Sequence, residues 1–503
     1  MCQVDEDYNG QLDRDEVLSF SKKCVKCKEA TAVLVIRAGD MFCSGCFKEY
    51  FVHKFRAMLG KNRIIFPGER VLLAVSGGPS SCSMLNQVQE GLSQNAHKKL
   101  RFIPGIVYID EGGALGLSVE ERQRTVDELQ SMFKATGFPY HILPLEEVFD
   151  LPSSVLEESS PSSEQPDITY KAAVDHFIQT NRNCYLSPEK QADLTGLNIQ
   201  ESHTHSLQQI FGSIKTLTAK EDLLQTLRQH LLVHTARSKG YSKLMLGDNC
   251  TRLAVKLLAS ISLGRGAQLA IDTGFSDLRY GDIITVRPMR DYSAKEVSFY
   301  NHMYNVPSVF IPTLDTKTTD KASVLRLTES FVTKLQAHFP STVSTIYRTS
   351  EKLQTIQPSP SSSTAHNWDK CLLCMCALDT NVVEKASAFQ ATLISELLSQ
   401  RRASRPVDTA SPTLRPEFQG PESTAAGGVG CERAACGGGC CSSVKAPEST
   451  ELKSLLCYSC QLTIKDMSSA DLLPQYILSE AQRRKRRSQM REEIREFLLD
   501  EDY

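Results

Sequence analysis

The chain has 503 residues with 57 basic against 59 acidic side chains, and its net charge of -2 excludes recognition by overall charge and leaves partner choice to local clusters. Its 41% apolar residues supply a sizeable core, and the length predicts about two to four domains. No apolar run approaches the roughly 18 residues needed to span a bilayer, and the acidic start lacks the basic and apolar regions of a secretory leader, so a cytoplasmic protein without a membrane partner is expected. Several of the 17 cysteines fall in Cys-x-x-Cys pairs, which in a reducing compartment point to metal rather than to disulfides.

Residues 1–20 read as an acidic tail. Asp5, Asp7, Asn9, Gly10 and Glu16 satisfy the calcium-loop pattern, but such a loop needs a helix on each side and too few residues precede Asp5 to form one. Residues 21–66 predict a zinc ribbon followed by a basic helix. Cys24-x-x-Cys27 and Cys43-x-x-Cys46 have the spacing at which two tight knuckles present four thiolates to one tetrahedral ion, and a strand and turn over 32–40 would bring the pairs together. Beyond the second knuckle Lys54 and Arg56 stand among Lys48, His53, Lys61 and Arg63, interleaved with Tyr50, Phe51 and Phe55. Such a helix either lies on an RNA phosphate backbone or presents a solvated basic face.

Residues 67–350 predict the main α/β domain. The apolar run 71–75 has the length and β-branched content of a buried strand, and it breaks into Ser76-Gly77-Gly78 with a helix starting after Pro79. A helix start there leaves N–H groups unpaired at the positive end of its dipole, so a phosphate would be held, with Ser80 and Ser81 adding hydroxyls. No Gly-Lys-Ser/Thr follows, which excludes the Walker pattern. A helix over 83–96, a strand over 102–110, a helix over 119–134 and a strand over 140–145 complete a βαβαβ run, and right-handed crossovers then give a doubly wound parallel sheet with its crevice beyond the carboxyl ends of the strands. Asp110 falls on that edge beside the glycine turn. Residues 152–205, rich in Ser, Glu, Pro and Asn, read as a partly disordered insertion. The alternation resumes with a helix over 218–239, a strand over 243–246, the turn Gly247-Asp248-Asn249-Cys250, a helix over 251–263 and a strand over 282–289. Arg287-Pro288-Met289-Arg290 then opens a helix through Lys295 and Glu296, where the arginines are either binding groups or ordinary surface charge.

A linker over 351–370 leads to residues 371–470. There Cys371-x-x-Cys374 and Cys457-x-x-Cys460 would close a second ribbon across an insertion at about 400–450, because loop-closure entropy grows slowly with length. Cys376 is then a spare, and Cys431, Cys436, Cys440 and Cys441 form a competing ligand set in a glycine-rich stretch predicted to be disordered. Residues 471–503 predict a helix, carrying Arg483-Arg484-Lys485-Arg486-Arg487, and an acidic tail.

Three of these segments carry a family likeness. Ser76-Gly77-Gly78-Pro79-Ser80-Ser81 resembles the PP-loop, Ser-Gly-Gly-x-Asp-Ser, of ATP pyrophosphatases, with Ser80 in place of the aspartate. Gly247-Asp248-Asn249 resembles the Gly-His-Asn turn of tRNA-modifying PP-loop enzymes, and Arg287-Pro288-Met289-Arg290 with Lys295-Glu296 resembles their Arg-Pro-Leu-x-x-x-x-x-Lys-Glu segment. Together with the N-terminal ribbon, Leu263-Gly264-Arg265-Gly266 and the distal cysteines, the pattern closely resembles the PP-loop tRNA-thiolation family, in its non-catalytic type of subunit, over most of the chain.

The resemblance implies an adenine nucleotide alpha hydrolase-like sheet with ATP and magnesium at Ser76, Gly77, Gly78, Ser80, Ser81, Asp110 and Gly247, whether the site is retained or vestigial. It implies tRNA contacts from Lys54, Arg56, Arg265, Arg287, Arg290 and Lys295. It also implies a heterodimer with a homologous catalytic PP-loop subunit, and sulfur delivered to the wobble uridine from a thiocarboxylated ubiquitin-related carrier. The departures concern chemistry. The active members' Cys-x-x-Cys between the PP-loop and the Gly-His-Asn turn is missing, since Cys184 is the one cysteine from Gly112 to Gly247. Thr251 and Arg252 stand where an acidic pair is usual, and Ser80 lacks the carboxylate that would arrange magnesium. Structural zinc is therefore expected, an iron-sulfur cluster on this chain alone is not, and no residue is assigned a catalytic role. The alternatives are an enzyme that transfers sulfur by itself and a zinc-organised scaffold that binds neither nucleotide nor RNA.

Overall fold

A computed structural model describes residues 23–36, 40–93, 96, 99–157, 170–180, 197–266, 269–314, 316–352, 370–378 and 452–494. The calcium-like segment, Cys184, the cysteines between 431 and 441 and the acidic tail lie outside the described residues.

The chain enters through a small antiparallel hairpin, β1 (Leu34–Val35) and β2 (Met41–Phe42), and a long helix, α1 (Ser44–Asn62). The central sheet follows: β3 (Arg70–Ala74), β4 (Ile103–Asp110), β5 (Tyr140–Pro144), β6 (Lys243–Leu246), β7 (Ser276–Asp277) and β8 (Ile284–Val286). Its order is β5-β4-β3-β6-β8-β7, parallel throughout except for β7, which pairs antiparallel with β8 at the edge. The doubly wound sheet read from the alternation is present. The predicted strand over 282–289 is shorter, because the chain turns at Arg287 with Arg290 N–H donating back to its carbonyl. The short edge strand β7 has too few residues to leave a periodic signal.

The crossovers are α2 (Pro79–Leu92), α3 (Gly112–Leu115), α4 (Val119–Thr136), α5 (Tyr170–Thr180), α6 (Glu201–Ser213), α7 (Leu217–Ser238), α8 (Cys250–Ser262), α9 (Leu269–Thr273), α10 (Ala294–Met303), α11 (Val324–His338) and α12 (Pro340–Thr349), followed by α13 (Tyr458–Lys465) and α14 (Gln475–Glu493). Capping boxes start α4, at Ser118 and Glu121, and α10, at Ser293 and Glu296. Part of the stretch read as an insertion is core, since Val155 and Leu156 are buried, and its last residues begin α6, which goes on to bury Leu207, Ile210 and Phe211. Among the described residues no helix is long and apolar enough to cross a membrane.

Strand residues alternate between two cores, as the pleat requires. Val71, Leu73, Val75, Ile106 and Tyr108 face α1, α2, α4 and α10, whereas Leu72, Val107, Ile109 and Leu244 face α6, α7, α13 and α14. On the first face α1 inserts Phe47, Phe51 and Phe55, and the Phe51 ring stacks on Tyr300 with centroids 4.0 Å apart. On the second face Leu452, Leu456, Ile464 and Ile477, all from beyond residue 451, close over the leucines of α7.

Candidate functional site

The C-terminal edge of the sheet brings Ser76-Gly77-Gly78 after β3 against Gly247-Asp248-Asn249 after β6. Gly77 has φ +78°, and a Cβ there would meet Ile311 Cδ1 at 2.9 Å and Leu129 Cδ2 at 3.1 Å, so the residue is glycine for both conformation and space. Gly247 is needed for approach alone, because a Cβ would lie 2.8 Å from Ser81 Cα. The two turns are joined by Asn249, whose Nδ2 donates to Ser80 Oγ over 2.7 Å while its Oδ1 accepts from Arg252 N and caps α8. Ser81 Oγ donates to Gly78 O over 3.0 Å and lies 3.3 Å from Ser76 Oγ. Pro79 at the first position of α2 suits a helix start, and the first-turn N–H groups of Ser80 and Ser81 have no intrahelical acceptor. The backbone therefore keeps an anion-cradle form, while Ser80, at the aspartate position, accepts the bond that fixes its neighbouring turn.

Asp110 lies at the expected edge but faces inward. Its carboxylate accepts from Gly112 N over 3.0 Å and from Arg122 Nε over 2.6 Å, and Arg122 also donates to both oxygens of Glu146, at 2.7 and 3.0 Å. All three side chains are buried, and burial holds the Asp110 carboxyl above its ordinary range despite Arg122. The next residue, Glu111, pairs with Arg228. Sequence reasoning missed this triad, although one signal was available: Arg122 falls on the same helical stripe as Val126, Leu129 and Phe133. Cys82 and Cys250 are buried small fillers near the two turns, and burial pushes each thiol up to about 12, which leaves them poor nucleophiles.

The six cations expected at RNA are dispersed. Lys54 donates to Glu296 Oε1 over 2.7 Å and lies 4.6 Å from the centre of the Tyr292 ring, fastening α1 to α10. Arg265 forks onto Asp222 at 2.5 and 2.7 Å. Arg287 is 2% exposed and pairs at 3.5 Å with both Asp248 and Asp277, and Arg290, 6% exposed, lies over the Tyr347 ring. These two arginines serve the interior rather than the surface because the chain turns inward after β8. Arg56 is half-buried and Lys295 is exposed. Lys295, with Ser293 and Cys250, lines a cavity of about 310 Å³ between the hairpin and α8, α10, α11 and α12.

Both cysteine quartets assemble, each with its sulfurs within 4.8 Å of one another. A tetrahedral zinc with Zn–S near 2.3 Å sets sulfurs about 3.8 Å apart, and the Cys27–Cys43 and Cys374–Cys457 separations are 4.0 and 3.6 Å. Both donor sets fit such an ion, and four thiolates also suit iron. In the N-terminal set Lys28 N–H donates to Cys24 O, with Lys28 at φ +60°, which closes the first knuckle, and Cys43 and Cys46 begin α1. In the C-terminal set Cys376 remains outside the quartet, 3.3 Å from Arg279 Nη1. Two supporting residues were not anticipated. His230 Nε2 donates to Leu373 O over 2.8 Å, and its Nδ1 accepts from Tyr476 Oη over 2.7 Å, the tautomer the carbonyl requires. Burial pushes this imidazole down to about 4, so it is neutral. Arg279 donates to Cys374 O over 3.2 Å.

Known proteins match this sequence over its full length. The family model for cytoplasmic tRNA 2-thiolation protein 2 matches residues 323–462, from the cap of α11 to α13. The cytoplasmic tRNA 2-thiolation protein 2 of Danio rerio is 57% identical over 514 residues, covering 100% of both chains. That of Homo sapiens is 50% identical over 520 residues, covering 100% of this chain and 98% of the relative. Among solved structures, the U34-tRNA thiolase NcsA from Methanococcus maripaludis with its 4Fe-4S cluster aligns with a TM-score of 0.45 at 15% identity, over 69% of this chain and 92% of that one. The chain belongs to the cytoplasmic tRNA 2-thiolation protein 2 family.

Proposed function

We propose that within tRNA 2-thiolation this chain is the non-catalytic, tRNA-holding subunit of a cytosolic heterodimer. Its homologous PP-loop partner adenylates the wobble uridine, and sulfur comes from a thiocarboxylated ubiquitin-related carrier. The observation that supports this division of labour is the state of the glycine turn: its backbone is kept, but Ser80 accepts from Asn249 where a carboxylate would arrange magnesium. The inward pairing of Asp110 with Arg122 supports the same reading, since that carboxylate is committed to the interior. Zinc in both quartets has a structural role, each ion closing four protein ligands and leaving no open position for chemistry. RNA contacts fall to Lys295 and Arg56, whereas Lys54, Arg265, Arg287 and Arg290 hold the elements that carry the surface.

The test is ATP-dependent thiolation of tRNA by the purified chain alone, by the partner alone and by the pair, all metal-loaded. Sulfur incorporation is expected from the pair and none from this chain. Thiolation by the lone chain overturns the reading in favour of an autonomous sulfurtransferase. If tRNA affinity of the pair is insensitive to salt and to Lys295→Glu with Arg56→Glu, the scaffold alternative stands instead.

A further inference from the structure

The C-terminal quartet is gripped from behind through its backbone. Three carbonyls of its first knuckle are each held by a buried or half-buried side chain from a different part of the fold. Arg484 of α14 donates to Lys370 O over 2.6 Å, His230 of α7 to Leu373 O over 2.8 Å, and Arg279 from the loop between β7 and β8 to Cys374 O over 3.2 Å. The third of these leads elsewhere. Arg279 also holds Asp277, with Nε 3.0 Å from Oδ1 and Nη2 2.9 Å from Oδ2, and it pairs with Asp272. Asp277 shares its Oδ2 with Arg287 at 3.5 Å, and Arg287 Nε lies 3.5 Å from Asp248. Asp248 belongs to the turn at 247–250, whose glycine abuts Ser81 and whose Asn249 holds Ser80. A continuous chain of charged contacts thus runs from a metal-ligand carbonyl to the glycine edge of the sheet.

We propose that Arg279 is a positioning residue that couples metal binding at Cys371, Cys374, Cys457 and Cys460 to the geometry of the turn at 247–250. An ion gathers the four thiolates and fixes where Cys374 O points. When the ion leaves, the knuckle relaxes and the guanidinium loses that acceptor. Its hold then shifts toward Asp272 and Asp277, beside its contact with Cys376 Sγ, and at Asp277 it competes with Arg287 for a shared carboxylate oxygen. Arg287 moves toward Asp248, and the turn at 247–250 shifts against Ser80 and Ser81. The coupling is reciprocal: whatever stabilises the turn slows metal loss. This inference rests on the metal reading of the quartet and not on the assignment of catalysis.

Hydrogen exchange of the full-length chain tests it, using a Cys24→Ser, Cys27→Ser background so that chelation acts on the C-terminal quartet, with metal content measured by elemental analysis. Removing the ion is expected to speed exchange at 247–250 by roughly fivefold or more, within the usual range of coupling between sites, while the amides of β4 change less. In Arg279→Gln the metal-loaded chain exchanges fast at 247–250 already and chelation adds little. Asp277→Asn, which keeps the Cys374 contact and cuts the next link, gives the same result if Arg279→Gln folds poorly. Acceleration confined to 370–378 and 452–465, or equal acceleration in β4, overturns the coupling. Absence of metal in the quartet overturns both the coupling and the metal reading, whereas metal present without a response at 247–250 overturns the coupling alone.

Discussion

The two cysteine quartets share ligand type and the spacing within each pair but differ in setting. At the N-terminal quartet Cys24 is buried while Cys27, Cys43 and Cys46 are half-exposed, and the hairpin around them turns Val25, Val33 and Val35 to solvent. At the C-terminal quartet the first knuckle lies in the same core as the sheet, with Leu372, Leu373 and Met375 buried among α7, α13 and α14. One ion would build a module that is then fastened on by α1, and the other would close a core that already holds most of the chain. The same four thiolates therefore have a local role in one place and a global role in the other. Burial of the surrounding backbone decides which.

The sharpest way to break that contrast is to remove one ligand from each. Cys460→Ser is expected to lower the thermal transition of the main body more than any other single change while leaving it cooperative, because the ion it would lose closes a core shared by α7, α13 and α14. Cys27→Ser should leave that transition in place and expose residues 23–43 to protease. Equal loss in both variants would end the distinction.

Arg122→Met comes next and calibrates the sheet edge away from either metal. It strands Asp110 and Glu146 as buried unpaired carboxylates, for an expected loss of about 3–5 kcal/mol in urea unfolding. His230→Phe probes the support of the C-terminal knuckle and leaves Leu373 O and Tyr476 Oη without their partner, for about 1–3 kcal/mol. Its pH dependence has a definite sign. The folded chain keeps this imidazole neutral down to about pH 4, whereas the unfolded chain takes the proton near 6.5. The contribution is therefore full above pH 6.5 and is lost as pH falls from 6.5 toward 4, so wild type and His230→Phe should converge in that window. The smallest effect is expected from Lys54→Met, about 1 kcal/mol, because the buried Glu296 keeps its bonds from Ser293 and Tyr50, read as faster exchange in α1 with the body unchanged. A larger loss there would mean that the N-terminal module supports the core after all.

Much of the architecture was legible because it is written in short-range patterns. The alternation of β3, β4 and β5 with their helices, the breaks at Gly77 and Gly247, and both cysteine spacings are local signals with direct structural causes. The side chains that support the site were legible only in part. Arg122 and His230 sit on otherwise apolar helical stripes, which marks them as buried polar groups but names no partner, since Glu146 and Leu373 are brought to them by topology. Arg287 and Arg290 read as binding groups or surface charge, and not as interior pairs, because a sequence shows a turn but not the direction in which it points. The helical start of α6 was hidden by the polar stretch before it, and its three buried residues sufficed to dock it.

The placement of Leu452, Leu456, Tyr476 and Ile477 has a consequence for biosynthesis. These residues cover the α7 face of the sheet, and they leave the ribosome after every strand they shield. During translation the leucines of α7 and the carbonyls it faces have no lid, and Cys371 and Cys374 wait for partners that are still unmade. A nascent chain of this kind exposes one complete apolar layer until its last segment emerges. Its yield should depend on chaperone supply and on available metal at the end of synthesis more than on the intrinsic folding rate of the sheet.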